Sequence, residues 1–125
     1  RVRAGTPVGY GHTHLTPTAT HLGLVPLGYA DGLPRLTSGR AEVQVAGRRR
    51  PVVGRLSMDQ IVVDLGQLPP APGATVTLFG PGSVGEPTVA DWAAWAQTIE
   101  HEIVTGIGAR VPRRVHAVRH LRSLA

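Results

Sequence analysis

The sequence predicts a mainly β domain, an antiparallel barrel-like fold with one or two short helices near its C-terminal end. Its 125 residues include 16 glycines and 11 prolines, which favours short strands and frequent turns over long helices. Apolar and polar residues alternate in several short segments, as they do in half-buried strands. The segment Thr88–Ile99 shows helical spacing instead, and the chain length fits a single domain.

The predicted strands are short and are bounded by glycine or proline. Residues 13–28 form extended segments that break at their two prolines, because proline cannot donate to a strand ladder. Ala41–Val45 alternates and is followed by a tight turn at Gly47, which predicts a hairpin. The return strand begins in the run Arg48–Arg50, which we expect to form a solvated sheet edge. Further predicted strands are Gln60–Leu65, Ala74–Phe79 and Arg113–Val118.

Two helices are predicted towards the C-terminal end. Thr88 is a favourable N-cap, and Asp91 three residues later completes a pattern like a capping box. A shorter helix over Glu100–Thr105 stops at Gly106. Both tryptophans are expected to pack into the core of this domain rather than against another domain, because large aromatics at helical spacing usually fill cores. The first helix places one apolar face at Val89, Trp92, Ala93, Ala96 and Ile99.

Composition narrows the classes of function. The formal net charge is +5, and all 13 basic residues are arginine, which invites a nucleic-acid interpretation. Aromatic residues make up only 4% of the chain and no basic helix face is visible, so no nucleic-acid partner is expected. No run of 18 apolar residues and no signal peptide is visible, so no membrane segment is expected. Cysteine is absent, which fits a reducing compartment.

Three motifs of cofactor and metal sites are present only in part. The glycines of GPGSVG have dinucleotide-binding spacing, but Pro87 separates them from the helix and no parallel βαβ unit surrounds them. The zinc pattern begun by His101 needs a second histidine where Thr105 stands. The two histidines of HTH offer too few ligands for a structural metal site. No metal is therefore expected.

The two tyrosines of the chain both lie beside glycine. Tyr10 is in VGYG and Tyr29 is in LGYADG. Glycine permits close backbone approach to a ligand or another chain, so each tyrosine is either a site residue or a residue stacked on a turn. The stretch GRLSMDQ holds the chain's one methionine, Met58, and places Asp59 between two strand-like runs. Asp59 is accordingly either a turn former or a site residue.

Four strings in this order, VGYGHT, VPLGYADGLPR, VVGRLSMDQIVVDL and TIEHEIVTGIGARVPR, resemble the carboxy-terminal domain of bacterial alanine racemase. The similarity covers essentially all of residues 1–125. It implies a pyridoxal-phosphate enzyme whose amino-terminal (β/α)₈ barrel supplies a lysine that binds the cofactor covalently. It also implies a cytoplasmic homodimer that makes D-alanine for peptidoglycan. The subunits would pair head to tail, so that this domain completes the active site of its partner.

The resemblance also implies residue roles. Tyr10 matches the catalytic tyrosine, which exchanges a proton with the substrate α-carbon on the face opposite the lysine. Tyr29 matches a tyrosine at the substrate entrance, and Asp59 lines the same entrance. The main-chain amide of Met58 matches a contact to the substrate carboxylate, and Arg35 matches the arginine after GYADG. Both tyrosines would protrude into a neighbouring subunit, and the adjacent glycines would let two backbones come close.

The sequence departs from the family in two ways. It contains no lysine, so the isolated chain is expected to be inactive without a barrel. His101 stands where a phosphate-contacting tyrosine is usual, although an imidazole can still donate to a phosphate. Two alternatives stay open: a racemase for another amino acid, and a stand-alone or degenerate domain that acts as a binding or oligomerisation module.

Overall fold

The computed structural model describes residues 1–9, 11 and 14–115. Within them the chain forms a two-stranded sheet, β1–β2, and a curled half-barrel sheet with the strand order β3-β6-β5-β4-β7. All strand pairs are antiparallel, so the predicted mainly β, barrel-like fold is confirmed. The strands are β1 (Pro7–Val8), β2 (His14–Leu15), β3 (His21–Val25), β4 (Glu42–Val45), β5 (Arg48–Val53), β6 (Ile61–Gly66) and β7 (Val76–Thr77), and the α-helices are α1 (Val89–Ala96) and α2 (Glu100–Gly106). Two short 3₁₀ helices, Tyr29–Asp31 and Arg35–Thr37, lie between β3 and β4.

The predicted hairpin is formed by β4 and β5. Ala46 and Gly47 both have positive φ, 51° and 77°, which is the backbone of the two-residue turns whose twist matches paired strands. The arginine run of β5 pairs with β4, whereas only Val52 and Val53 pair with β6. β5 is thus an inner strand of the sheet, and its arginines lie where the pairing to β6 has ended. The solvated edge was predicted for the run Arg48–Arg50 alone, and that run is unpaired on its β6 side with Arg48 and Arg49 exposed.

The core lies between the concave sheet and α1. Trp92 is 1% exposed, and its indole N–H donates to the carbonyl of Leu78 at 2.6 Å. Trp95 is partly buried and meets Trp92 edge to face, with ring centroids 5.5 Å apart. The prediction that the tryptophans pack within this domain is confirmed. Alternate strand residues fill the rest of the core, among them Val43, Val45, Val52, Ile61 and Val63.

Helix α1 begins as predicted but ends early. The Thr88 hydroxyl accepts from the Asp91 N–H at 3.2 Å, and the Asp91 carboxylate accepts from the Thr88 N–H at 2.8 Å. These two bonds complete the capping box. Gln97 then adopts a left-handed φ of 57° and ends the helix. Ile99, predicted to lie on the buried face, is therefore 66% exposed at the start of α2.

The remaining strand predictions differ in extent. The stretch predicted as Ala74–Phe79 is a strand only at β7. Residues 113–115 are not in a strand, and the rest of the predicted strand Arg113–Val118 lies outside the described residues. None of the helices in the described ranges is both long and apolar enough to cross a bilayer.

Candidate functional site

Two loops meet at the surface and bring three predicted site residues together. The first loop runs from Gly28 to Leu33 and the second from Ser57 to Asp59; we call their meeting the loop junction. The Tyr29 N–H donates to the Ser57 carbonyl, and the Ala30 N–H donates to the Met58 carbonyl, both at 3.0 Å. Tyr29, Met58 and Asp59 therefore belong to one backbone unit, although their segments are far apart in sequence.

The loop junction depends on the absence of a side chain at Gly28. A Cβ built on Gly28 would overlap the carbonyl oxygens of Ser57 and Met58. Gly28 itself has an extended backbone, with φ −145°, so its requirement for glycine is steric rather than conformational. The glycine before Tyr29 was expected to allow a close approach to a ligand or another chain. The structure instead shows a close approach within the chain itself.

The site residues of the loop junction face outward. Tyr29 is 36% exposed and Met58 is 54% exposed, and Asp59 is also exposed. The Arg35 guanidinium lies 5.2 Å from the centroid of the Tyr29 ring, within the range of a cation–π contact. No hydrogen bond within residues 1–9, 11 and 14–115 uses the Met58 N–H.

An ion pair lies directly beneath the loop junction. The Asp31 side chain is 3% exposed and accepts from the Gly28 N–H at 3.0 Å. Arg110 donates to both Asp31 carboxylate oxygens, at 2.5 and 2.6 Å. The Arg110 hydrogen bond and the Gly28 N–H lower the Asp31 pKa from 3.8 to about 2. Sequence reasoning singled out neither residue for a site, because nothing local to Arg110 indicates its contact with a loop so distant in sequence.

This ion pair predicts how stability depends on pH. The folded pKa of Asp31 is lowered, so its stabilising contribution is present above pH about 4 and is lost as pH falls towards 2. We expect Asp31→Asn to lower the Tm at pH 7 and to flatten the fall of Tm between pH 4 and 2. Thermal unfolding across this range measures both effects. Glu100→Gln, at an exposed carboxylate, is the control, and an equal slope in both variants would contradict the prediction.

Tyr10 lies outside the described residues, but the backbone beside it is described. Gly9 has φ 78° and packs against Gly54, where β5 ends; a Cβ on Gly9 would lie 2.8 Å from the Arg55 amide nitrogen. Gly54 has φ 75°, and a Cβ there would lie 2.8 Å from the Val8 carbonyl oxygen. Val8 and Gly9 are thus held against the start of the loop that leads to Met58.

His101 occupies a different part of the domain surface. It is the second residue of α2 and is exposed. The end of α2 that contacts the first loop is the opposite one, where Gly106 packs against Gly32. His101 and Gly106 are five positions apart, which is about 7.5 Å along a helix axis. The described contacts do not join the His101 side chain to Tyr29, Met58 or Asp59.

No group of three or more His, Asp or Glu side chains able to hold a metal ion occurs in the part of the chain that the structure describes. Of the two histidines in the HTH motif, His12 lies outside that part. His14, its partner in the sequence motif, is in β2. The glycines of GPGSVG lie in the loop between β7 and α1, where Gly85 accepts a hydrogen bond from Arg49 at 3.0 Å.

The comparison with protein families matches the domain described as "Alanine racemase, C-terminal domain" over residues 1–115. The chain belongs to this family. The alanine racemase of Streptomyces coelicolor is 59% identical over 113 residues, which are 90% of this chain and 29% of that protein. The chain therefore spans less than a third of the length of that relative.

Solved structures agree with this assignment. The alanine racemase of Streptomyces lavendulae, a D-cycloserine producer, matches with a TM-score of 0.89 and 52% identity over 95% of this chain and 31% of that one. The alanine racemase of Bartonella henselae, solved with covalently bound pyridoxal phosphate, matches with a TM-score of 0.76 and 37% identity. That match covers 87% of this chain and 30% of the other.

Proposed function

We propose that this domain is the C-terminal part of a pyridoxal-phosphate-dependent alanine racemase, which interconverts L- and D-alanine and provides D-alanine for peptidoglycan. The observation that carries the proposal is the 59% identity to an alanine racemase over 90% of the chain. The loop junction supports it, because an exposed tyrosine lies there beside the Met58 N–H, which makes no hydrogen bond within the described residues. The reaction needs an acid or base on each face of the substrate α-carbon.

The domain requires a second domain for this chemistry. The matched relatives extend well beyond the part that this chain spans, and we assign to that remainder a (β/α)₈ barrel with the cofactor-binding lysine. This chain contains no lysine, so residues 1–125 alone form an inactive domain. Pyridoxal phosphate, when bound, supplies the electron sink for the charge left on the α-carbon. A head-to-tail homodimer would present the loop junction to the active site of the partner subunit.

The roles of this chain's own residues follow from their chemistry. The Tyr10 hydroxyl removes or returns a proton at the α-carbon. A free tyrosine has a pKa near 10, so ionising it at neutral pH costs about 4 kcal/mol unless neighbouring cations stabilise the phenolate. The Met58 N–H donates to the substrate carboxylate. Tyr29 and Asp59 line the entrance, where Arg35 lies over the Tyr29 ring and adds a positive charge that attracts an anionic carboxylate.

In this domain, His101 is the one residue that we assign to cofactor binding, as a donor to the phosphate. His101 is exposed, and its imidazole N–H is a suitable donor to a phosphate oxygen. We expect His101→Ala in the full-length protein to raise the Kd for pyridoxal phosphate about tenfold, because one charge-assisted hydrogen bond is lost. His101→Tyr restores a donor and is expected to restore affinity. Cofactor titration of the apoprotein measures both, and an unchanged Kd in His101→Ala would remove His101 from the site.

The direct test is an assay of the full-length protein that carries this domain. Purified protein with pyridoxal phosphate is incubated with L-alanine, and D-alanine is quantified by chiral chromatography. Parallel reactions contain L-serine and other L-amino acids. Conversion of alanine with the highest kcat/KM supports the proposal. Preference for another amino acid would make the protein a different racemase. Cofactor binding without any racemisation would favour a binding or oligomerisation module.

A further inference from the structure

We infer that Arg110 is a positioning residue, which fixes Tyr29 relative to Met58 by fastening the first loop of the loop junction to the segment that follows α2. The inference deepens the proposed function and rests on it for its catalytic meaning. Arg110 has no role in the reaction itself. It acts through Asp31 and the backbone on either side of Tyr29.

The contacts of Arg110 bracket Tyr29 in the sequence. Its Nε donates to Asp31 Oδ1 at 2.5 Å and its Nη2 donates to Asp31 Oδ2 at 2.6 Å. The same Nη2 donates to the Pro26 carbonyl at 3.0 Å. One guanidinium thus holds a residue before Tyr29 and a residue after it. A rigid planar fork of this kind fixes geometry as well as charge.

The backbone adds a second attachment of the same segment. The Gly108 N–H donates to the Asp31 carbonyl at 2.9 Å, and Gly106 packs against Gly32. Asp31 in turn holds the Gly28 N–H, next to the two bonds that join Tyr29 and Ala30 to the second loop. A displacement of Arg110 therefore reaches the loop junction through the Asp31 carboxylate and the Gly28 N–H that it holds.

Arg110 is also electrostatically linked to the second loop. Its pKa is raised first by the hydrogen bond to Asp31 and the charge of Asp31, with a smaller contribution from the charge of Asp59. Its side chain remains 60% exposed, so one side of the guanidinium faces the buried carboxylate and the rest faces outward. Loss of Arg110 would leave the Asp31 carboxylate, 3% exposed, with a single N–H partner. Such a buried charge is unfavourable, and the loop is expected to rearrange to solvate it.

The test compares three variants of the full-length protein. Arg110→Gln removes the charge, and Arg110→Lys keeps the charge but not the fork. Arg113→Gln is the matched control, because Arg113 lies in the same segment and donates to Ile107 within that segment at 2.8 Å. We expect Arg110→Gln to raise the KM for alanine about tenfold with a smaller change in kcat. Arg110→Lys is expected to recover part of the loss. Arg113→Gln is expected to match the wild type.

Amide hydrogen exchange gives a readout that does not depend on activity. The Tyr29 and Ala30 amides donate the two hydrogen bonds that join the loops of the loop junction. In Arg110→Gln we expect the exchange of these two amides to accelerate at least about tenfold. The exchange of the β5 and β6 amides is expected to stay unchanged. Unaltered exchange of these two amides would overturn the inference, whether or not the wild type racemises alanine. Should Arg110→Gln fail to fold, the same measurement on Arg110→Lys decides. A wild type without racemase activity, but with the expected exchange pattern, would overturn only the proposed function.

Discussion

Replacing Tyr10 by phenylalanine in the full-length enzyme is expected to lower kcat for alanine racemisation by about a thousandfold, with pyridoxal phosphate still bound. The substitution removes one hydroxyl, and a positioned acid or base contributes rate factors of this order. The reason is stereochemical: racemisation removes the α-proton on one face and returns it on the other. Initial rates in both directions measure the loss, and the cofactor absorbance confirms that the site remains filled.

Exchange of the α-proton with deuterated water sharpens this prediction. A barrel lysine on the opposite face would still exchange the proton of one enantiomer, so Tyr10→Phe is expected to keep that exchange and to lose exchange of the other enantiomer. Tyr29→Phe removes the hydroxyl of the chain's other tyrosine and serves as the comparison. It should affect KM more than kcat, because we place Tyr29 at the entrance. Near-normal turnover in Tyr10→Phe would remove Tyr10 from proton transfer.

The features predicted correctly from the sequence are those set by neighbouring residues. The Ala46–Gly47 turn and the Thr88–Asp91 capping box follow from local backbone chemistry. The end of α1 at Gln97 could not be predicted in this way. Glutamine rarely adopts a left-handed φ, and Gln97 does so where the chain turns from α1 into α2. The turn between the two helices therefore leaves Ile99 outside α1, although its spacing in the sequence fits the apolar face of that helix.

In the candidate site, too, local features were easier to predict than contacts between distant residues. The glycine beside each tyrosine was expected to allow close approach of a ligand or another chain, whereas the approaches in the structure are within this chain, of Gly9 to Gly54 and of Gly28 to the second loop. Sequence spacing does not reveal which distant segment of the same chain meets a glycine. Asp31 and Arg110 illustrate the limit further. Their contact joins residues 79 positions apart, and the sequence around Arg110 has no pattern that indicates it.

Replacing Gly28 by alanine is expected to lower the free energy of unfolding by about 3 kcal/mol, at the upper end of what overpacking usually costs. The new methyl group would overlap the Ser57 and Met58 carbonyl oxygens. These are backbone atoms, which cannot rotate away as a flexible side chain does. The two loops must separate, and the bonds from the Tyr29 and Ala30 amides are then lost. Urea unfolding of the protein measures the stability change.

A matched glycine separates this steric effect from the general cost of adding a methyl group. A Cβ on Gly108 would lie 3.8 Å from the carbonyl oxygens of Ala30 and Asp31, which is ordinary contact, so Gly108→Ala is expected to stay within about 0.5 kcal/mol of the wild type. In the full-length enzyme Gly28→Ala should also reduce kcat/KM, since Tyr29 and Met58 would no longer share one backbone unit. If Gly28→Ala keeps both stability and kcat/KM, the loop junction is not what holds these site residues together.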